Sequence, residues 1–307
     1  FEKGGLKYIY KELKQGSAAA SGVVSDNEQV VTFVYKKAEG KTVKAEFFKK
    51  DTAIKLLEDL IIKPAGTQVG TPWTSTHKNE LVKDHLVYVI DGKVPVEQGK
   101  VTEAEQVLKY NYVPKLGKGV NVRYVYDGKE LKHTLNLIKD GLQIGTAWGS
   151  SRVNEIVKDG LTYVLDTKNL PTESGRVTDS VQDVVYKYVP KLGKGVKVKY
   201  MAGDKAIKDE LELVKDGVQV GTKWSATKVN EIEKDGLTYV LDDKSLPIET
   251  GSVTMDAQEV VYKYVPKLGK GVKVKYVVGD KPIKDELELV KDGVQVGTEW
   301  KSEQVKE

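Results

Sequence analysis

Apolar and polar residues alternate along much of this chain. Val196-Lys-Val-Lys-Tyr200 is apolar at every second position, the period of a strand with one face buried. Leu237-Thr-Tyr-Val-Leu241 and Val260-Val-Tyr-Lys-Tyr-Val265 predict two further strands. Between them, Asp209 to Gly221 holds two alternating runs around Asp216-Gly217, a dipeptide that predicts a hairpin turn. After Trp224, small polar residues lead to Val229 and Ile232, three apart. That spacing predicts a short helix, capped by the polar lead-in and ended by Asp235-Gly236. The expected fold is α+β, mostly β.

The pattern recurs. Tyr-Val-Pro-Lys-Leu-Gly-Lys-Gly-Val starts at Tyr112, Tyr188 and Tyr264, and Gly-Thr-x-Trp carries all four tryptophans, Trp73, Trp148, Trp224 and Trp300. Asp-Gly-Leu-Thr-Tyr-Val-Leu starts at Asp159 and Asp235, with looser copies at Asp84 and Gly4. A tandem array with a period of about 76 residues therefore fills the chain. In the conventional phase its segments are 1–36 (a back half), 37–112, 113–188, 189–264 and 265–307 (a front half). A permuted phase would give units of about 1–80, 81–155, 156–231 and 232–307. Both ends fall inside a repeat, which is expected of a piece of a longer array. The short Pro-Lys-Leu-Gly-Lys-Gly junctions predict closely spaced modules in an elongated rod. The first full repeat is the most divergent. It has Leu60-Ile-Ile-Lys-Pro-Ala-Gly66 where the others have the Lys-Asp-Gly turn.

Composition narrows the function. There is no cysteine, so disulfides, thiol catalysis and iron–sulfur clusters are excluded, and His77, His85 and His133 are scattered. No nucleophile–base or metal constellation emerges, so neither an enzyme nor a cofactor is expected. The 49 basic and 45 acidic side chains leave a net charge of +4, too little for a nucleic-acid stripe. No apolar run is long enough to insert in a membrane.

These repeats resemble the MucBP (mucin-binding protein) family. The likeness rests on Val272-Lys-Val-Lys-Tyr-Val277, Gly217-Val-Gln-Val-Gly-Thr222, and Val184-Val-Tyr-Lys-Tyr-Val189 or Val31-Thr-Phe-Val-Tyr35. The resemblance implies β-grasp-like modules of cell-wall-anchored, extracellular surface proteins of Gram-positive bacteria, with mucin, other host glycans or glycoproteins as partners. It supplies no binding residue.

Two surfaces are candidates for such a ligand. Trp73, Trp148, Trp224 and Trp300 would form a sugar-stacking series, or else one core residue per repeat. Lys187, Lys191, Lys194, Lys197 and Lys199 would attract anionic glycans, or else form a solvated strand face offset by Asp204, Asp209, Glu210 and Glu212. Three other features mislead. Leu246-Pro-Ile-Glu-Thr-Gly251 imitates a sortase signal but is a loop of the repeat, as Leu170-Pro-Thr-Glu-Ser-Gly175 shows. Gly193-x-Gly195 lacks the helix start and Lys-Ser/Thr of a phosphate loop. Asn79, Asn154 and Asn230 suggest Lys–Asn isopeptide bonds, but Lys306 takes that position in the last copy. The leading functional expectation is a multivalent adhesin repeat region. Its rivals are a passive stalk and a subunit that pairs head to tail into a filament.

Overall fold

The computed structural model describes residues 1–304. Lys306, and with it the last of the recurring helix positions, lies outside the described residues. Two compact units divide the chain. One holds Phe1–Val122, Thr134–Ser151 and Pro171–Val184, and the other holds Arg123–His133, Arg152–Leu170 and Val185–Glu307.

Residues 196–266, in the second unit, show how one repeat is built. The opening strand Val196–Ala202 lies at the centre of a five-stranded sheet. On one side it pairs antiparallel with the second strand, Lys205–Val214. On the other it pairs in parallel with the closing strand, Gln258–Pro266, with Val196 beside Gln258 and Tyr200 beside Tyr262. The hairpin Glu231–Lys234/Leu237–Leu241 then joins the closing strand's far side. A separate two-stranded ribbon, Lys223–Ser225 with Thr250–Ser252, completes the set. Three irregularities in register between the opening and second strands bend this edge of the sheet.

Alternation explains the core. Val196, Val198 and Tyr200 of the opening strand and Val260, Tyr262 and Tyr264 of the closing strand are all buried. They meet Ile207, Ile232, Tyr239 and Leu241 in one apolar cluster. In the first unit, residues 43–114 build the same sheet order and a matching cluster around Val43, Phe47, Tyr110 and Tyr112. Towards the termini, Leu6–Leu13 pairs with Phe33–Lys37 and with Glu2–Lys3, while Val272–Val278 pairs with Lys281–Val290.

Two expectations are corrected. The α+β, β-grasp-like module with one short helix is instead all-β, since no helix occurs among the described residues. Ile232, expected on that helix, lies in a strand opposite Tyr239. The reason is the turn. Asp235 and Gly236 both have positive φ, 54° and 75°, the geometry of a type I′ turn that reverses a hairpin. The hairpin predicted at Asp216-Gly217 is also absent. Only Gly217 of that pair has positive φ (86°), and the Asp216 carboxylate accepts the Gly195 amide at 2.7 Å. The chain beyond it turns away from the second strand, and Gln219 bridges to Leu192 in the junction.

Candidate ligand-binding surface

Three of the four tryptophans pack against a glycine of their ribbon. Trp73 is buried, Trp148 and Trp224 are half-buried, and Trp300 is exposed. Trp73, Trp148 and Trp224 each stand opposite a glycine of their ribbon: Gly99, Gly175 and Gly251. A β-carbon on any of these glycines would approach the indole Cζ2 to 2.4–2.7 Å, so the ring lies against bare backbone. The side of each ring that faces the glycine is thereby covered, while Trp148 and Trp224 stay partly exposed. Trp300 has no such partner strand among the described residues.

The lysine series is largely neutralised. Lys197 pairs with Glu210 at 2.6 Å, and Lys199 with Glu259 at 2.6 Å across the parallel strand pair. Lys194 meets Asp216 at 3.3 Å, and Lys191 meets Glu155 at 2.5 Å. The Glu210 side chain holds the Lys197 ammonium above its ordinary pKa, and that lysine in turn holds the Glu210 carboxyl below its own. Lys187 is exposed, with no ion pair among the described residues. The five ammonium groups therefore do not form a free cationic patch.

The tyrosines of the closing strands, which alternate with Lys187 and Lys263, point inward. Tyr188 donates its hydroxyl to the Val153 carbonyl and Tyr264 to the Val229 carbonyl at 2.6 Å, pinning the stretch before each hairpin to the sheet. Burial pushes both phenols up to about 12. Tyr110 and Tyr262 instead donate to carboxylates, Glu97 and Glu249.

Lys191 belongs to a junction between repeats. Thr162, in the hairpin of the preceding repeat, donates its amide to Val220 O and accepts at its carbonyl both Lys191 N–H and the Gln219 amide group. Val220 N–H closes the set on Lys191 O at 2.8 Å. Gly221 has φ +96°, and a β-carbon there would lie 1.9 Å from the Gly160 carbonyl oxygen. The same glycine contact recurs between Gly70 and Gly5, Gly145 and His85, and Gly297 and Gly236.

One concavity was missed at the sequence level. In the first full repeat a groove of about 500 Å³ is lined by Phe47, Leu57, Leu60, Glu58 and the stretch Thr76–Lys78. His77 forms part of its wall, its Nδ1 held 2.9 Å from Glu97, which also accepts Tyr110. These two hydrogen bonds, from His77 first and Tyr110 second, hold the Glu97 carboxyl below its ordinary pKa. The available signal was Leu57, an apolar residue where the later copies carry Lys132, Lys208 and Lys284.

Among the described residues no group of three or more His, Asp or Glu side chains is arranged to hold a metal ion. No helix of the described residues is long and apolar enough to cross a membrane.

No curated protein matches the chain. Among solved structures, it is similar to Streptococcal High Identity Repeats in Tandem (SHIRT) domains 3–4 from a cell surface protein. The identity is 14% and the TM-score 0.22, over 48% of this chain and 96% of that one. The MucBP domain model matches residues 3–36, 119–189 and 195–265, more than half of the sequence and each time within the repeat described above, so the chain belongs to the MucBP domain family.

Proposed function

We propose that this chain is a non-enzymatic repeat region of an extracellular, cell-wall-anchored surface adhesin of a Gram-positive bacterium, in which most modules act as spacers. One observation carries the spacer reading. Most of the side chains suited to hold a glycan are already engaged: three indoles lie on glycines, and four of the five lysines sit within ion-pair distance of carboxylates. The recurring junction contacts suit a region whose work is to extend and hold position.

A multivalent reading, with mucin-type glycans as ligand, is favoured by the exposed Lys187 and its counterpart Lys263 on successive closing strands. Weak sites become useful in series when a linker lets several engage at once. Retention of the chain on immobilised mucin, at low and at physiological salt, separates the readings. A spacer gives retention no greater than an unrelated protein of equal charge. Strong retention that Lys187→Gln with Lys263→Gln abolishes would establish multivalent binding instead.

A further inference from the structure

Two sheets of the structure are complementary halves of the module at 196–266. Leu6–Leu13 and Phe33–Lys37 pair as the hairpin strand Leu237–Leu241 and the closing strand do, with Tyr10 opposite Tyr35 as Leu241 is opposite Tyr264. Val272–Val278 and Lys281–Val290 pair as the opening and second strands do, with Val272 opposite Val290 as Val196 is opposite Val214. In the module itself the opening and closing strands meet in parallel. Neither half has that partner. Among the described residues no strand pairs with the other side of Phe33–Lys37 or of Val272–Val278.

The side chains left uncovered are those that the module buries. Val24 is 99% exposed, whereas its counterparts Val101, Val177 and Val253 are each 1% exposed. Ile283 is 66% exposed, against 1% for Ile207. Phe33 and Tyr35 are exposed where Tyr262 and Tyr264 are buried. The seats match as well. Gly40, Gly117 and Gly193 lie so close to Val101, Val177 and Val253 that a β-carbon would come within 2.3–2.6 Å of the valine Cγ1. Around Gly269 the nearest atoms belong only to Val294 and Val296. Trp300 is exposed, and Gly22, the counterpart of Gly251, has nothing within 4 Å of its β-carbon position.

Unpaired strands with matching apolar faces support association by strand addition. Here each face lacks the half-module that the other carries, down to the tryptophan and its glycine, and this selects a second copy over an unrelated partner. We propose that the chain binds itself head to tail. Val272–Val278 of one copy adds in parallel to Phe33–Lys37 of the next, in the register of the complete module, with Val272 beside Gln29 and Tyr276 beside Phe33. Trp300 then seats on Gly22, and Val24 fills the space at Gly269. Such pairing joins unlike surfaces, so it extends from copy to copy unless its geometry closes.

Sedimentation velocity of the intact chain over a concentration series is the test. The mean mass should rise with concentration, and indole emission should shift to the blue as Trp300 is covered. Gly22→Val fills the Trp300 seat where the free chain has open space, and Ile283→Glu charges the other face at an exposed position. Each should weaken association about tenfold or more while leaving the thermal transitions of the chain unchanged. An equimolar mixture of the two variants should regain the original affinity but stop at dimers, because each copy keeps one working face. A chain that stays monomeric at high concentration would overturn the proposal. Dimers of Gly22→Val alone with undiminished affinity would mean that two like ends meet, and would overturn it too. So would association that neither variant weakens, the mark of unspecific apolar clustering.

Discussion

The indole of Trp224 lies flat against Gly251, the residue opposite it in the two-stranded ribbon, so closely that a methyl group on that glycine would sit 2.4 Å from Cζ2. Gly251→Ala should therefore push the ring out of its seat and cost roughly 1–3 kcal/mol, the range for overpacking a filled site. Trp224→Ala should cost about 3 kcal/mol, towards the low end for a large aromatic because the ring is half-buried. Calorimetry of the intact chain checks both. One thermal transition should move while those of the other modules stay in place. Unchanged transitions with either variant would mean that the indole is free, and would return it to the list of sugar-stacking candidates.

Much of the β structure was legible because burial is one-sided. Val196, Val198 and Tyr200 are buried while Lys197 is exposed, and the alternation is printed in the sequence. The helix error arose where a local signal has two meanings. Asp235-Gly236 ends a helix or reverses a hairpin, and only the pairing of Glu231–Lys234 with Leu237–Leu241 decides between them. The pairing of the lysine series was hidden for a non-local reason. Lys199 meets Glu259, 60 residues away, through the parallel register of the opening and closing strands, which no neighbouring residue announces. For the groove, Leu57 was visible as a substitution, but its position over Phe47 follows from the strand register alone.

The tyrosine hydroxyls make stability sensitive to base. Tyr188 and Tyr264 have phenols pushed up from 10.0 to about 12 by burial, so the folded state holds these protons more tightly than the unfolded chain. For a group raised on folding, the contribution is complete below the unfolded pKa and is lost as pH rises through the folded one. Stability should thus be insensitive to these groups up to about pH 10 and fall between about pH 10 and 12. Phenolate absorbance and denaturant midpoints measured together check this, and ionisation without loss of stability would contradict it. Tyr188→Phe removes the hydrogen bond to Val153 and should cost about 1 kcal/mol at neutral pH, while making the middle repeat less sensitive to base.

Acid should act elsewhere. Glu97 is held below its ordinary pKa by His77 and Tyr110, so its contribution is present above the unfolded value of 4.5 and lost as pH falls through the lower folded value. The first full repeat should lose that contribution on acidification below about pH 4.5. Glu97→Gln should flatten this dependence and leave the base-sensitive range unchanged. Hydrogen exchange at Tyr110, followed against pH, provides the readout. An unchanged acid profile in the variant would place the sensitive carboxylate elsewhere.

The junction yields the sharpest mechanical consequence. Thr162 is tied to the next repeat by its own amide and by two donors on its carbonyl, beside a glycine pair that leaves no room for a side chain. Gly221→Ala combines left-handed strain with a direct clash on Gly160 O, and should cost roughly 3 kcal/mol by displacing the junction loop. Gln219→Ala removes a single hydrogen bond and should cost about 1 kcal/mol. Neither residue belongs to the apolar cluster of Val196, Tyr262 and Tyr264. Amide exchange should therefore separate the two layers. In Gly221→Ala, the Thr162, Lys191 and Val220 amides should exchange faster, while core amides such as Tyr200 and Tyr262 keep their protection. Uniform acceleration across the repeat would show that junction and core unfold as one cooperative unit. Unchanged exchange at Thr162 would show that the glycine contact does not hold the modules together.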